Sequence, residues 1–587
     1  MSAKSRRAHH AQANDHPLLR LDLQRWRQRL TLTLLFAGFT ALSARAVYLQ
    51  AWHDEFLTEE GEKRSQRVIP IPAYRGMITD RRGEPLAVST PVESLWANPR
   101  EADPTSQQIQ ALASILEKNP DQIRRQFADK SRAFVYVERL VDPHKAQQVR
   151  NLEIEGLYAK PEYRRYYPAG EVAAHMLGIT NIEDQGQEGL ELAYQTWLTG
   201  DPGAERVIKD RRGNAVESLE RVKAPKPGRD LVLSLNQHIQ YLAYRELADA
   251  VIKYKARAGA VVVLDARTGE ILALANTPSY NPNSRSTYSP ERLRNRAVTD
   301  VFEPGSTMKP LLVAAALEAG VVKPHTVIDT GPGWFQIGDK RVSDVHAKGV
   351  MTVSQALQVS SNVAVAKIAL EMRGEDYWHL LTRAGLGAPP KSGLPGEVSG
   401  RLRPYATWRP IEKATMAYGH GLSVSLLQLA HAYTAFANDG VMPQLTALRR
   451  EGQAIGSRVM NPETAQAVLA MLESVTQDGG TAPQARVVGY RVAGKTGTAH
   501  KLIGGAYAPD KYISSFVGLA PASDPRLVVA VMVDEPSGRD YYGGLVAAPV
   551  FSKVMAGALR FMAVPPDASF DQFSAPPGAA PVVPEAV

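Results

Sequence analysis

An unbroken apolar run over residues 30–49, with the core LTLTLLFAGFTALSA, constrains this chain more than any other stretch. At about 1.5 Å of rise per residue, a helix of about 20 residues spans roughly 30 Å, the thickness of a hydrocarbon layer. No amphipathic face can be drawn through residues 30–44, which argues for a membrane anchor over a buried core helix. Arg45, the only charge inside the run, lies near its far end, where a guanidinium can snorkel to the interface. Trp26, Tyr48 and Trp52 bracket the run as interfacial aromatics do. Arg20, Arg25, Arg27 and Arg29 precede it, and Asp54, Glu55, Glu59 and Glu60 follow it. The positive-inside rule then puts the N-terminus in the cytoplasm and everything after about residue 50 outside. Ala44-Arg45-Ala46 imitates a signal-peptide cleavage site, but the run has full spanning length. The expectation is a basic cytoplasmic tail over residues 1–29 and an uncleaved single-pass helix over residues 30–50.

The 587 residues are too many for one ordinary core, so several domains are expected. Cysteine is absent, which excludes a cysteine nucleophile, an iron–sulfur cluster and Cys-ligated zinc. The net charge of +8 comes with no nucleic-acid-binding motif, and part of it sits beside the anchor, so no nucleic-acid partner is expected.

The exported part divides at Lys223-Ala-Pro-Lys-Pro-Gly228, which reads as a linker. Residues 51–228 before it are mixed in pattern and rich in charge. After it, residues 231–235 read as a strand and residues 237–250 as a helix. Residues 259–264 and 270–274 form one hairpin pattern around Asp265-Ala-Arg-Thr-Gly269. Residues 512–519 and 527–534 form another around Ala522-Ser-Asp-Pro-Arg526. Helical patterns at 311–319 and 354–372 lie between them. Strands at both ends with helices between predict an α+β domain over residues 229–563, its terminal strands sharing one antiparallel sheet flanked by helices. Residues 564–587 are Pro/Ala-rich and read as a disordered tail.

Three short motifs carry the chemistry. In Glu303-Pro-Gly-Ser306-Thr-Met-Lys309-Pro310, Pro304-Gly305 breaks the chain and an apolar run follows. Ser306 is expected in the first turn of a helix, with Lys309 one turn on along the same face. A serine hydroxyl is a poor nucleophile until a base takes its proton, and a partly buried lysine can serve. Pro310 is tolerated there because first-turn N–H groups have no helical partner. Ser360-Ser361-Asn362 is the second motif and Gly494-Lys495-Thr496-Gly497-Thr498 the third. Each alone is weak. In order, S-x-x-K, S-x-N and K-T-G are the signature of penicillin-binding proteins and class A β-lactamases.

With these motifs the chain resembles a class B penicillin-binding protein, and most the division-specific (FtsI-like) type. Arg75-Gly-Met-Ile-Thr-Asp80-Arg81-Arg82-Gly83-Glu-Pro-Leu-Ala87 resembles the signature that follows the anchor. Arg165-Tyr-Tyr-Pro-Ala-Gly170 and Glu188-Gly-Leu-Glu191 resemble the motifs of the dimerisation-type pedestal, and Tyr418-Gly-His-Gly-Leu-Ser423 those of the transpeptidase domain. The resemblance implies a β-lactamase-like fold, an elongated pedestal and a peptidoglycan D,D-transpeptidase. It implies Ser306 as the nucleophile toward a D-Ala-D-Ala donor and Lys309 as its base. Ser360 would relay a proton, tuned by Lys495, and Asn362 would bind the substrate backbone. Thr496 and Thr498, flanking Gly497, would hold the terminal carboxylate, and the N–H groups of Ser306 and Thr498 would form an oxyanion hole. No metal or cofactor is called for. The implied partners are stem peptides, β-lactams as covalent inhibitors, a SEDS-family glycosyltransferase and other division proteins. The implied location is the bacterial inner membrane, with the catalytic domain in the periplasm.

Other readings are a β-lactamase or penicillin sensor, an elongation-type or specialised paralogue, and a non-catalytic division scaffold. The anchor, the long pedestal and the three intact motifs argue against the hydrolase and the scaffold. Asp80-Arg81 reads as a turn tying the pedestal to the catalytic domain. Tyr541 and Tyr542, before Gly543-Gly544, line the substrate cleft or pack the sheet.

Overall fold

In the computed structural model, which describes residues 24–51, 66–209, 215–538 and 540–568, the apolar run lies in one helix, α1 (Arg25–Ala51). The hydroxyls of Thr31, Thr33 and Thr40 each donate to the carbonyl four residues back at 2.8 Å, so the helix satisfies these three donors itself. The span Arg25–Gln50 is long and apolar enough to cross a membrane.

Contacts divide the chain into two units. One joins Met1–Ile71 to Pro202–Pro225. Beside α1 it holds a three-stranded antiparallel sheet, with Gly203–Lys209 between Gln66–Ile71 and Ala215–Lys223.

The other unit joins Pro72–Asp201 to Lys226–Val587. In its N-terminal part the 13-residue strand Pro85–Ala97 pairs with Val135–Val141 and with Leu157–Tyr166. Helices Ser106–Leu116, Pro120–Ala128 and Pro143–Arg150, capped by Thr105, Asn119 and Asp142, close a core around Leu95, Leu112, Ile123, Phe127 and Val137. The pedestal motifs converge on one buried carboxylate. Glu191 takes Arg75 Nε on Oε2 and Arg165 Nε on Oε1, both at 2.6 Å. All three side chains are buried, so the ions stabilise only as a complete set.

Asp80-Arg81 joins this region to the C-terminal part, as the sequence suggested. Ile78–Thr79 pairs in parallel with Leu231–Val232. The Asp80 carboxylate accepts N–H groups from Arg82 (2.7 Å) and Glu84 (3.0 Å) within its own turn. It also accepts that of Gln237 (3.3 Å), at the start of helix α2 (Gln237–Lys253), where the helix dipole favours an anion. Arg81 reaches Glu270 at 3.4 Å. The strand expected over 231–235 is shorter, Leu231–Val232.

The terminal hairpins do share one antiparallel sheet. Strands β1 (Ala258–Asp265) and β2 (Ile271–Thr277) come early in the domain; β3 (Ala493–Ile503), β4 (Ala506–Ala520) and β5 (Leu527–Asp534) come late. Their order is β2-β1-β5-β4-β3. Helices cover both faces. Val529, Val531 and Val533 of β5 pack with α2 and the C-terminal helix Gly543–Phe561. Val528, Ala530 and Met532, one step out of phase, join the larger core on the other face. Every residue of β1 and β5 is therefore buried, which is why both read as continuous apolar runs. Gly543–Phe561 is also long and apolar enough to cross a membrane, but its most apolar stretch is 56% buried, as suits a core helix.

Two details differ from the sequence reading. The helical pattern over 354–372 is two helices, Val353–Gln358 and Asn362–Glu371, broken at the second motif. The expected tail begins later. Asp567 accepts the N–H of Arg491 (2.7 Å) and the hydroxyl of Ser523 (2.7 Å), while residues 569–587 and 1–23 lie outside the described residues.

Candidate active site

Ser306 is held in a 3-10 turn, Gly305–Met308, that leads into the helix α3 (Lys309–Glu318), rather than in the α-helix itself. Gly305 at φ +58° opens the turn and Pro310 occupies the helix start, as its missing N–H permits. Lys309 is the first α-helical residue and fully buried. Its Nζ donates to the Ser360 carbonyl (2.5 Å) and to Ser360 Oγ (3.0 Å), so one lysine joins the first motif to the second.

The break at the second motif is a Schellman-type helix end. After α4 (Val353–Gln358), the N–H of Ser361 returns to the carbonyl of Ala356 (2.9 Å) and that of Ser360 to Leu357 (3.2 Å). Ser360 therefore takes the left-handed position at φ +62°, which glycine usually fills. This aims its backbone carbonyl and its hydroxyl at Lys309. Helix α5 (Asn362–Glu371) starts next, capped by the Ser361 hydroxyl, which accepts from Ala364 N. Asp344, just after the hairpin of Trp334–Ile337 and Lys340–Ser343, closes this cap from outside the motif. Its Oδ2 accepts from Ser361 Oγ (2.6 Å), and its Oδ1 accepts from the N–H groups of Asn362 (2.6 Å) and Val363 (3.0 Å). The Asn362 amide donates to Ser343 O at 3.4 Å, while its buried Oδ1 has no partner among the described residues.

The third motif lies on edge strand β3, directly before the late hairpin of β4 and β5. Lys495, Thr496, Gly497 and Thr498 pair with Val517, Phe516, Ser515 and Ser514 of β4. A Cβ on Gly497 would stand 2.8 Å from Pro304 O and 2.5 Å from Ser515 Oγ, so glycine here lets the strand lie against the nucleophile turn. On the other side of that turn a Cβ on Gly419 would meet Gly305 O at 2.1 Å. Lys495 Nζ donates to Thr496 Oγ1 (3.0 Å), which is 2.8 Å from Thr481 Oγ1, a buried residue that the sequence reading missed.

Tyr541 and Tyr542 belong to a ladder of rings. His500 and Tyr512 lie 4.6 Å apart, Tyr512 and Tyr541 4.1 Å, and Tyr541 and Tyr542 4.5 Å. Gly543 N–H donates to Thr498 Oγ1 (3.0 Å), which ties the ladder to the third motif.

Glu303, three residues before Ser306, carries no site role in the sequence reading. It accepts from Gly421 N (2.8 Å) and Tyr507 Oη (2.9 Å) and pairs with His420 Nδ1 (3.2 Å). Burial pushes its carboxyl up, but His420 and the two hydrogen bonds outweigh that and hold it below the ordinary carboxylate value. The signal was its place in the first motif, although carboxylate-to-tyrosine contacts across the fold leave no spacing in a sequence.

Comparison with known proteins places this arrangement. Residues 259–556 match the model of the penicillin-binding protein transpeptidase domain and residues 70–233 that of the penicillin-binding protein dimerisation domain. The chain therefore belongs to the penicillin-binding protein transpeptidase family. It is 43% identical over 539 residues to the Pseudomonas aeruginosa protein described as "Probable peptidoglycan D,D-transpeptidase PbpC", covering 92% of this chain and 95% of that one. It is 41% identical over 549 residues to the peptidoglycan D,D-transpeptidase FtsI of Escherichia coli K12, covering 92% and 93%. The apo structure of the transpeptidase domain of Burkholderia pseudomallei penicillin-binding protein 3 matches with a TM-score of 0.54 at 47% identity, covering 57% of this chain and 98% of that one.

Proposed function

We propose that this chain is a peptidoglycan D,D-transpeptidase that cross-links stem peptides at the division septum through an ester on Ser306. The observation that carries the reading is Lys309. Its buried Nζ reaches the Ser360 hydroxyl at 3.0 Å, one turn from Ser306, so a proton leaving the nucleophile has an acceptor and an onward path. Ser306 Oγ attacks the carbonyl between the two terminal D-alanines as Lys309 takes its proton. The N–H groups of Ser306 and Thr498 bind the oxyanion, typically worth about 3 kcal/mol per donor. Collapse breaks the peptide C–N bond. The proton passes through Ser360, under the charge of Lys495, to the departing D-alanine. Thr496 and Thr498 bind its carboxylate, and the unpartnered Asn362 Oδ1 accepts an N–H of the donor backbone. An acceptor amine then attacks the ester, which restores Ser306 and leaves the new amide. β-Lactams acylate the same serine.

The test is to supply the full chain with an acyl-D-Ala donor and an amine acceptor. Release of D-alanine matched by cross-linked product is expected. Release without cross-linking would indicate a hydrolase, and no release would overturn the reading.

The arginines ahead of the apolar run, Arg20, Arg25, Arg27 and Arg29, argue for an N-terminus in the cytoplasm and a catalytic domain in the periplasm. The chain carries only transpeptidase motifs, so it acts beside a polymerase, a SEDS-family glycosyltransferase of the division machinery. Ala37 and Ala41 give α1 a small-xxx-small face for that contact. Replacing residues 30–49 by an unrelated apolar helix should preserve penicillin binding but abolish division and co-purification with the polymerase. Full complementation would show that any tether suffices.

A further inference from the structure

A cleft of about 520 Å³ lies away from the three motifs, walled by Val135–Val141, Leu157–Tyr166 and the loop around Asn283 and Tyr288. The loop is fixed to that wall: Asn283 exchanges two hydrogen bonds with the backbone of Tyr167, at 3.0 and 2.9 Å. The volume falls in the range of small-ligand sites.

Its charges do not cancel. Arg139 and Lys145 line it but are spent, on Glu162 and Glu183 and on Glu117. Two guanidinium groups remain, with one nitrogen of a third. Arg164 and Arg285 line the cleft and are exposed, and neither side chain has a hydrogen bond or ion pair among the described residues. Arg165 also lines it, and its side chain is 1% exposed. Its Nε is held by Glu191 and its Nη1 donates to Ser89 Oγ at 3.3 Å, while its buried Nη2 has no partner among the described residues. A buried guanidinium nitrogen left unsatisfied is costly, so a ligand or ordered water belongs there. Opposite charge is also on offer: the exposed carboxylate of Asp142 accepts only the N–H of His144 among the described residues.

We infer that this cleft binds a second, uncross-linked stem peptide, a reading that rests on the transpeptidase assignment. The guanidinium groups of Arg164 and Arg285 take the peptide's carboxylates, whose planar geometry matches their fork, and Arg165 Nη2 adds one further donor. Asp142 takes the free side-chain amine that an acceptor peptide must carry. A phosphate-rich ligand fits less well, because it carries no cation to set against Asp142. The cleft thus holds strand material ahead of the catalytic site, as an exosite for the polymer being cross-linked.

The experiment uses the full chain in detergent with Ser306 acylated by penicillin, so that the catalytic site is closed. N-acetylmuramyl pentapeptide with a free side-chain amine is titrated and followed by calorimetry. Saturable binding is expected, weakened at least tenfold in Arg164→Glu/Arg285→Glu and weakened again when the peptide amine is acetylated. Arg164→Gln/Arg285→Gln should lose affinity in the same direction, and an unchanged thermal midpoint shows that either variant is folded. Equal affinity in the variants would overturn the assignment. So would competition by inorganic phosphate at the peptide's own concentration, which would leave a generic anion site. If penicillin fails to acylate Ser306, the transpeptidase reading fails, and the same titration on Ser306→Ala still decides the cleft.

Discussion

Asp344 Oδ2 accepts the hydroxyl of Ser361 at 2.6 Å, so a carboxylate outside every motif holds the helix cap on which the second motif depends. Its other oxygen takes two N–H groups at the start of α5. Asp344→Ala removes all three acceptor contacts and the anion at the helix N-terminus. Unfolding free energy should fall by about 1–3 kcal/mol, in the range of lost caps and charged hydrogen bonds. Penicillin acylation should fall at least tenfold, because Ser360 and Asn362 are aimed by this cap. Stopped-flow acylation and thermal unfolding measure both. Unchanged acylation would show that the motif holds its shape without Asp344.

Ser360 sits where a Schellman end prefers glycine, at φ +62°. A left-handed non-glycine residue costs roughly 1–2 kcal/mol. Ser360→Gly should therefore be the more stable of the two truncations and Ser360→Ala the less stable, the reverse of the order inside a helix. Both should lose acylation to a similar extent, since both lack the hydroxyl that Lys309 reaches. Chemical denaturation of the pair decides the order.

These sites also show what was legible in the sequence. Strands β1 and β5 were readable because both their faces are covered, which leaves unbroken apolar runs. Strand β3 was not, although residues 493–499 are all buried. Its buried positions are filled by Ala, Gly, Lys and Thr, so no run of large apolar residues marks it. The pattern over 354–372 concealed a break, because a Schellman end built from Ser360 rather than glycine leaves no breaker to read. The three motifs were readable because their order is a signature. Asp344, Thr481 and Glu303 were not, because each acts across the fold through a contact that sequence spacing does not encode.

Lys309→Arg keeps the positive charge but cannot present a neutral base, because the guanidinium stays protonated. Acylation should fall by a factor of about 100–10,000, the range for general-base catalysis. Raising pH to 10 should not restore it. Near-normal acylation would assign the proton to another group.

Two buried histidines set an acid limit on stability. Burial lowers His175 to about 4, and burial, partly offset by the hydrogen bond to Pro443 O, lowers His431 to about 4. Between pH 4 and the ordinary 6.5 the unfolded chain holds a proton that the folded chain refuses. Stability therefore rises with pH across that window and is lost as pH falls through it, by up to about 3 kcal/mol per histidine. Asp184, raised to about 6 by burial, works the other way between 3.8 and 6. His431→Gln removes one histidine and leaves Asp184 in place. Its thermal midpoint should fall less between pH 6.5 and 4 than that of the unchanged protein. Parallel pH curves would remove His431 from the account.

The central claim is an ester on Ser306. Intact mass of the full chain after penicillin treatment, followed by peptide mapping, reads it directly. One added penicillin mass on the peptide that contains Ser306, absent in a folded Ser306→Ala variant, is the predicted result. An adduct on another residue, or equal labelling of Ser306→Ala, would contradict it.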